Sequence, residues 1–155
     1  MLIQRTAKIK LNISVSEMLP TILAYTNAFN LVARIAFADK DKNGVSLHHK
    51  TYQTTRKYLP SQLAISSRMK ATEALKTVFT QIKKSKKTSC PESKLMSVRY
   101  DIHSYSLFLK KQIVSLLTIS GRKKIKLTIP DYYKNYFDDW KYSSADLCIK
   151  KNKVY

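Results

Sequence analysis

The chain has 155 residues, 44% of them hydrophobic, and sets 29 Lys and Arg against 10 Asp and Glu for a formal net charge of +19. That apolar share can bury a core in one domain or two small ones, while the charge excess selects a polyanionic partner, because each phosphate neutralised releases condensed counterions. No run approaches the roughly 18 to 20 apolar residues of a spanning helix, and Met1-Leu2-Ile3 leads into alternating polar residues rather than a signal peptide, so a cytoplasmic protein with no membrane partner is expected.

Residues Leu2 to Leu11 alternate, with Ile3, Ala7, Ile9 and Leu11 on one side and Gln4, Thr6, Lys8 and Lys10 on the other, which predicts a half-buried strand. Ser16 opens a helix with Glu17 near its positive end and Pro20 in or near the first turn. Leu19, Ile22, Leu23, Thr26, Phe29, Ala33, Ala36 and Phe37 recur at three or four residues and mark its buried face. A polar turn over Asp39 to Gly44 precedes a second helix, Ser46 to Tyr58. Leu59 stands before Pro60, where the chain leaves helical space, and Pro60 suits the first position of a third helix reaching Lys84. That helix buries Leu63, Ser67, Ala71, Ala74, Leu75, Val78, Phe79 and Ile82, and its other face is basic, with Arg68, Lys70, Lys76, Lys83 and Lys84. Lys83 to Lys94 reads as an exposed linker.

Beyond the linker the period changes to two. Ser97 to Asp101, Tyr105 to Leu109, Gln112 to Ile119 and Lys123 to Ile129 are predicted strands, with turns at Asp101 to Ser104, Lys110-Lys111 and Ser120-Gly121-Arg122. Pro130 introduces a short aromatic helix, Asp131 to Trp140. Asp146 to Ile149 then forms a strand, Lys150 to Lys153 its turn, and Val154-Tyr155 a return of two residues, too short to complete a hairpin, so the chain reads as the front part of something longer.

Motifs for chemistry are sparse. Two glycines, Gly44 and Gly121, exclude a phosphate-cradling loop or a dinucleotide fingerprint, both of which need clustered glycines. Cys90 and Cys148 are too few and too distant for a zinc site or a disulfide framework and read as reduced thiols. His48, His49 and His103 have no ligand cluster beside them, which favours surface or phosphate-contacting roles. Asp138 and Asp139 are adjacent and do not share a helical face, so they read as solvated charges. Tyr132, Tyr133, Tyr136, Phe137, Trp140 and Tyr142 would suit base stacking, but helical spacing puts Tyr133, Phe137 and Trp140 on one side and favours their packing against the sheet.

Several segments in order resemble the N-terminal half of the OrfB/TnpB proteins of insertion sequences, RNA-guided nucleases related to type V CRISPR effectors. They are Tyr58-Leu59-Pro60-Ser61-Gln62-Leu63-Ala64, Ala71-Thr72-Glu73-Ala74-Leu75-Lys76, Ser97-Val98-Arg99-Tyr100-Asp101, Leu116 to Lys126 with Gly121-Arg122, Ile129-Pro130-Asp131-Tyr132-Tyr133, Trp140-Lys141-Tyr142 and Ala145-Asp146-Leu147. The resemblance implies an α+β fold: a small OB-like antiparallel β-barrel, the wedge, with a three-helix recognition lobe inserted after its first strand. Residues 1–14 would be that strand, 15–88 the lobe and 89–155 the rest of the wedge, truncated before its last strand. Guide RNA and the DNA target would be the partners, the protein reading a short motif beside the target and base pairing reading the rest.

By the same similarity, His49 and Gln53 and the helix opened by Ser61 and Gln62 approach the motif duplex, with Tyr100 and Asp101 placed to help. Arg99, Arg122 and Lys124 lie in the matching β segments and join Arg68, Lys70 and Lys76 as expected nucleic-acid contacts. The Gln62 amide suits an adenine edge, whereas Lys70 and Lys76 suit backbone phosphates. The family's RuvC-like domain, with its carboxylates, holds the Mg²⁺ ions of phosphodiester cleavage. Those residues are absent here, so the chain is expected to lack a catalytic site and a metal of its own, and a separately encoded nuclease part would complete it. A helix-turn-helix regulator with the helix from Pro60 as reader, and a degenerate transposon remnant, are the alternatives.

If the basic faces meet about five to eight phosphates, the logarithm of affinity falls against the logarithm of salt with a slope of roughly −4 to −7. A salt titration of nucleic-acid binding measures it, and a slope near zero would remove nucleic acid as the partner.

Overall fold

The computed structural model describes residues 4–139 and 141–155, with backbone only for Asp138 and Asp139. Three long helices come first: α1 (Val15–Ala38), α2 (Gly44–Thr55) and α3 (Ser61–Lys83). A β unit follows with β1 (Val98–Tyr100), β2 (Tyr105–Phe108), a 3₁₀ turn (Leu109–Lys111), β3 (Ile113–Thr118), β4 (Gly121–Lys126), the short helix α4 (Asp131–Asp139), β5 (Ala145–Leu147), β6 (Ile149–Lys150) and β7 (Lys153–Val154). The fold is α+β, and its antiparallel strands form three small sheets ordered β1-β5, β2-β3-β4 and β6-β7, none closed into a barrel.

Helix α1 starts earlier than expected, because Ser14 rather than Ser16 caps it. The Ser14 hydroxyl accepts from the Glu17 amide while the Glu17 carboxylate accepts from the Ser14 amide, a reciprocal capping box. Pro20 therefore falls in the second turn, where its missing N–H leaves the exposed Ser16 carbonyl to water. Of the expected face Ile22, Thr26, Phe29, Ala33 and Ala36 are buried, and Met18, Thr21, Tyr25, Ala28 and Val32 widen it on the other side. Leu23 is exposed, and Leu19 and Phe37 are half-buried, since α3 and the β unit both cover α1 and shift its contact face. Asn43 caps α2 by accepting from the Val45 and Ser46 amides. Pro60 is the cap of α3 rather than its first residue, because its ψ of 147° is still extended.

Two apolar clusters hold these elements. One joins Phe29, Val32, Ala33 and Ala36 of α1 to Leu47 of α2 and Ala71 and Leu75 of α3. The other is shared between helices and strands, with Met18, Ile22, Tyr25, Leu63 and Ala64 packed against Val98, Tyr100, Leu116, Ile125, Leu147 and Val154. Burial of each such side chain stabilises by about 1.5–3 kcal/mol before entropy is counted. Residues 83–94, expected as an exposed linker, are free only in part. Asn30 grips the Ser93 backbone with both ends of its amide at 2.8 and 2.9 Å, and the Met96 amide donates to Thr26.

In the β unit the registers are local and short. Leu2 and Ile3 of the strand expected over Leu2 to Leu11 lie outside the described residues; the described part makes one bridge, Leu11 to Leu127, and keeps its alternation in burial, with Ala7, Ile9 and Leu11 in and Lys8 and Lys10 out. The β3–β4 turn is Ile119-Ser120, one residue earlier than expected, so Gly121 with φ +92° and Arg122 belong to β4. The final strand splits: β5 pairs with β1, and β6 pairs with β7 across a two-residue turn whose Lys151 and Asn152 both have positive φ, as a primed turn needs. Contrary to expectation, the hairpin is complete over these residues. Cys148 and Tyr155 exchange both backbone bonds at 2.9 Å, and Val154 is fully buried.

Burial pushes the Tyr25 phenol up to about 12, and the Tyr100 phenol is pushed up further by the same cause. A folded-state pKa above the unfolded value of about 10 means that the folded state keeps a proton the unfolded state releases. Stability is full below pH 10 and is lost as pH rises towards 12. For Tyr25 the loss is about 2–3 kcal/mol. Urea unfolding at pH 8 to 11.5 is expected to show a smaller alkaline decline for Tyr25→Phe than for the natural chain, and parallel declines would show that Tyr25 does not titrate in this way.

Candidate nucleic-acid interface

Strand β4 sorts its side chains by alternation. Ile125 is buried towards the core, and Arg122, Lys124 and Lys126 are exposed on the opposite side. Directly opposite residues in an antiparallel ladder share a face, so the register extends that face across three strands: Lys126 with Ile113 and Phe108, Lys124 with Ser115 and Ser106, and Arg122 with Leu117. Phe108 is 45% exposed there. Lys110 and Lys111 sit at the same end, in the turn that joins β2 to β3. The result is a basic sheet face with an aromatic ring on it. Among the described residues, ion pairs engage Lys50, Lys70, Arg99, Lys123 and Lys134, so no carboxylate neutralises this stripe.

Tyr100, Asp101 and Arg122 are brought together at the β1–β2 turn, in structural roles. The Asp101 carboxylate accepts from the His103 and Ser104 amides and the Ser104 hydroxyl; partial burial raises its pKa, but these bonds outweigh it and leave the carboxyl below the usual range. Arg122 donates to the His103 carbonyl at 2.6 Å, which aims the guanidinium along the turn and leaves it exposed. Tyr100 is fully buried, and its hydroxyl donates to the Leu117 carbonyl at 2.9 Å. It holds β1 to β3 and presents nothing to solvent.

The expected basic face of α3 divides. Lys76 is exposed. Lys70 uses its ammonium on the Ser97 carbonyl, the Ser97 hydroxyl and the Asp146 carboxylate, each at 2.8 Å, with only 11% of its side chain exposed. Arg68 donates to the Gly44 carbonyl at 2.6 Å, and desolvation lowers its pKa. A Cβ at Gly44 would meet that guanidinium at 2.9 Å, so a larger residue there would make the Arg68 side chain shift. Arg99 reaches Glu73 with one nitrogen at 2.9 and 3.0 Å. Of the five cations expected on that face, Arg68 and Lys70 are thus engaged within the chain, while Lys76, Lys83 and Lys84 are exposed. His49 and Gln53 are exposed on α2, while Ser61 and Gln62 are half-buried in the first turn of α3.

Lys126 joins this face beyond the expected residues: its alternation with Lys124 is legible in the sequence, but its neighbours Ile113 and Phe108 follow only from the register. The aromatic segment also differs from expectation. Tyr133, Tyr136 and Phe137 are half-buried and belong to neither apolar cluster, and Trp140 lies outside the described residues. Between α4, residues 4–9 and the inner face of the β unit lies a cavity of about 990 Å³, floored by Tyr105, Leu107, Val114, Leu116 and Leu127. Among the described residues no group of three or more His, Cys, Asp or Glu converges, and no helix is long and apolar enough to cross a membrane.

No protein-family model matches the chain, and no curated protein matches it at a significant level.

Lys70 and Lys76 stand six residues apart on one helix and differ in what they hold. Lys70→Ala is expected to cost about 1.5–3 kcal/mol, the worth of hydrogen bonds to a charged group, and Lys76→Ala to stay within about 0.5 kcal/mol. Urea unfolding of the two variants checks this, and equal stabilities would refute a structural role for Lys70.

Proposed function

We propose that the chain is the nucleic-acid-binding part of a transposon-encoded RNA-guided DNA endonuclease of the OrfB/TnpB type, with guide RNA and the target-adjacent DNA duplex as partners and the catalytic carboxylates on a separately encoded part. The observation that carries the binding reading is the stripe of Arg122, Lys124 and Lys126, exposed on one face of β4 and facing no carboxylate among the described residues. Its finer assignment rests on the order of the segments from Tyr58 to Leu147 that resemble the family.

The connections between the small sheets support an OB-like wedge. The Leu11 amide donates to the Val154 carbonyl at 3.0 Å and Leu11 bridges Leu127, which links the β6–β7 hairpin to β4. On the other side the Tyr100 hydroxyl of β1 donates to the Leu117 carbonyl of β3 at 2.9 Å. A helix-turn-helix reading asks α3 to present its cations to a groove, and two of them, Arg68 and Lys70, are engaged inside the chain.

The test is a binding comparison between a structured RNA and duplex DNA over a salt series, with the triple variant Arg122→Ala, Lys124→Ala, Lys126→Ala. The RNA is expected to bind more tightly, and the variant to reduce the magnitude of the log–log salt slope by about 3, one per phosphate contact. With Mg²⁺ present neither nucleic acid is cut. Tight preference for one duplex sequence, or a slope unchanged in the triple variant, would overturn the reading.

A further inference from the structure

The cavity under α4 is lined with rings that stay wet. Tyr132 is 72% exposed and Tyr142 50% exposed, while Tyr133, Tyr136, Phe137 and Tyr155 line the same space. A segment whose aromatics merely complete a core excludes water from them, and this one leaves an opening of about 990 Å³, at the upper end of the roughly 300–1,000 Å³ that small ligands occupy. Several planar groups fit in that volume.

Cations stand over these rings. Arg5 donates to the Tyr136 hydroxyl at 2.9 Å with its guanidinium carbon 5.5 Å from the ring centroid, and the Lys8 ammonium lies 4.0 Å from the centroid of Tyr155. Lys141 lines the cavity as well. Among the described lining residues the one carboxylate is Asp146, which is already paired with Lys70. Thr6, Ser143, Ser144 and Gln4 supply neutral donors and acceptors around the opening. Planar faces inside, cations at the edge and neutral hydrogen-bonding groups between them match an unpaired nucleotide: base against ring, phosphate against Arg5, Lys8 or Lys141, and ribose hydroxyl against the neutral groups.

We propose that this cavity takes up one or two unpaired bases of single-stranded RNA. The proposal deepens the nucleic-acid reading above and rests on it. A duplex keeps its bases stacked inside and meets the protein through its backbone, so it engages the basic face of β4 and leaves this cavity empty. The two surfaces therefore separate by the kind of nucleic acid they hold.

The experiment uses the full chain and a short unstructured oligoribonucleotide carrying 2-aminopurine, whose fluorescence falls when it stacks, with a duplex RNA and a DNA strand of the same sequence as comparisons. Binding is expected to quench the single-stranded RNA probe. Tyr132→Ala and Tyr142→Ala, both at exposed positions, are each expected to weaken its binding by about 5- to 150-fold, the effect of losing one stacking ring, and to leave duplex affinity unchanged. Tyr132→Phe and Tyr142→Phe keep the ring and are expected to bind like the natural chain. Probe binding without quenching, with affinity unaltered in the alanine variants, would overturn the cavity assignment and leave the β4 surface standing. Equal quenching of the DNA strand would overturn the choice of RNA. Absence of binding to single strand and duplex alike would remove both this proposal and the reading beneath it.

Discussion

The helices and the β unit are joined by a polar seam that runs through α1, α3, β1 and β5, and the positions of every exposed group described above depend on it. Ser66 donates its only hydroxyl proton to the Arg99 carbonyl at 2.7 Å, so the Tyr25 hydroxyl at 2.8 Å is the donor to Ser66. One turn further along α3, Lys70 closes on Ser97 and on Asp146, the residue paired with Arg99 across β1 and β5. Apolar packing around the seam supplies most of the stabilisation but has no direction. Hydrogen bonds to buried groups do, because leaving one unmade costs about 1–3 kcal/mol. The seam therefore sets how β1 lies on α3, and β1 in turn places the turn at Asp101 and the Arg122 guanidinium beside it.

A chain this basic has to place its cations without repelling itself apart, and it does so in two ways. A few are engaged within the chain: Lys70 by three acceptors, Arg99 by Glu73, and Arg68 by a helix carbonyl through one of its nitrogens. Others pair with surface carboxylates, as Lys50, Lys123 and Lys134 do, or stand in water, where high dielectric and counterions weaken repulsion. A polyanion would relieve self-repulsion at an unneutralised face, and this is the energetic basis of the binding proposed for the β4 stripe. The Phe108 ring on that face adds a planar contact next to the charge.

The β unit carries two different surfaces, which the proposed reading assigns to one class of partner. The outer face of β2-β3-β4 carries Arg122, Lys124 and Lys126, while the inner face is apolar and roofed by residues 4–9 and α4 across a cavity. Alternation along each strand is what divides them: Lys124 and Lys126 point one way, and Ile125 and Leu127 the other. A single residue of register slip would exchange the two faces. The Leu11 bridge to Leu127 and its bond to Val154 pin that register from the side.

The sequence by itself determined the sign and size of the charge, the helix-then-strand order, and the location of nearly every element to within a few residues. These follow from local rules, since burial of one face imposes a period of 3.6 on helices and 2 on strands, and proline and polar clusters interrupt both. Tertiary structure alone decided which cations remain free and which rings stay wet. Lys70 and Lys76 look alike along α3, yet the partner that removes Lys70 from the surface, Asp146, lies 76 residues away. Tyr100 reads as a turn residue open to a ligand until β3, 17 residues on, supplies a carbonyl and covers it. The α4 aromatics have the spacing of a packed face, yet they line a cavity together with the inner residues of β2 and β3. Each of these outcomes depends on distances between segments remote in the chain, which no local periodicity encodes.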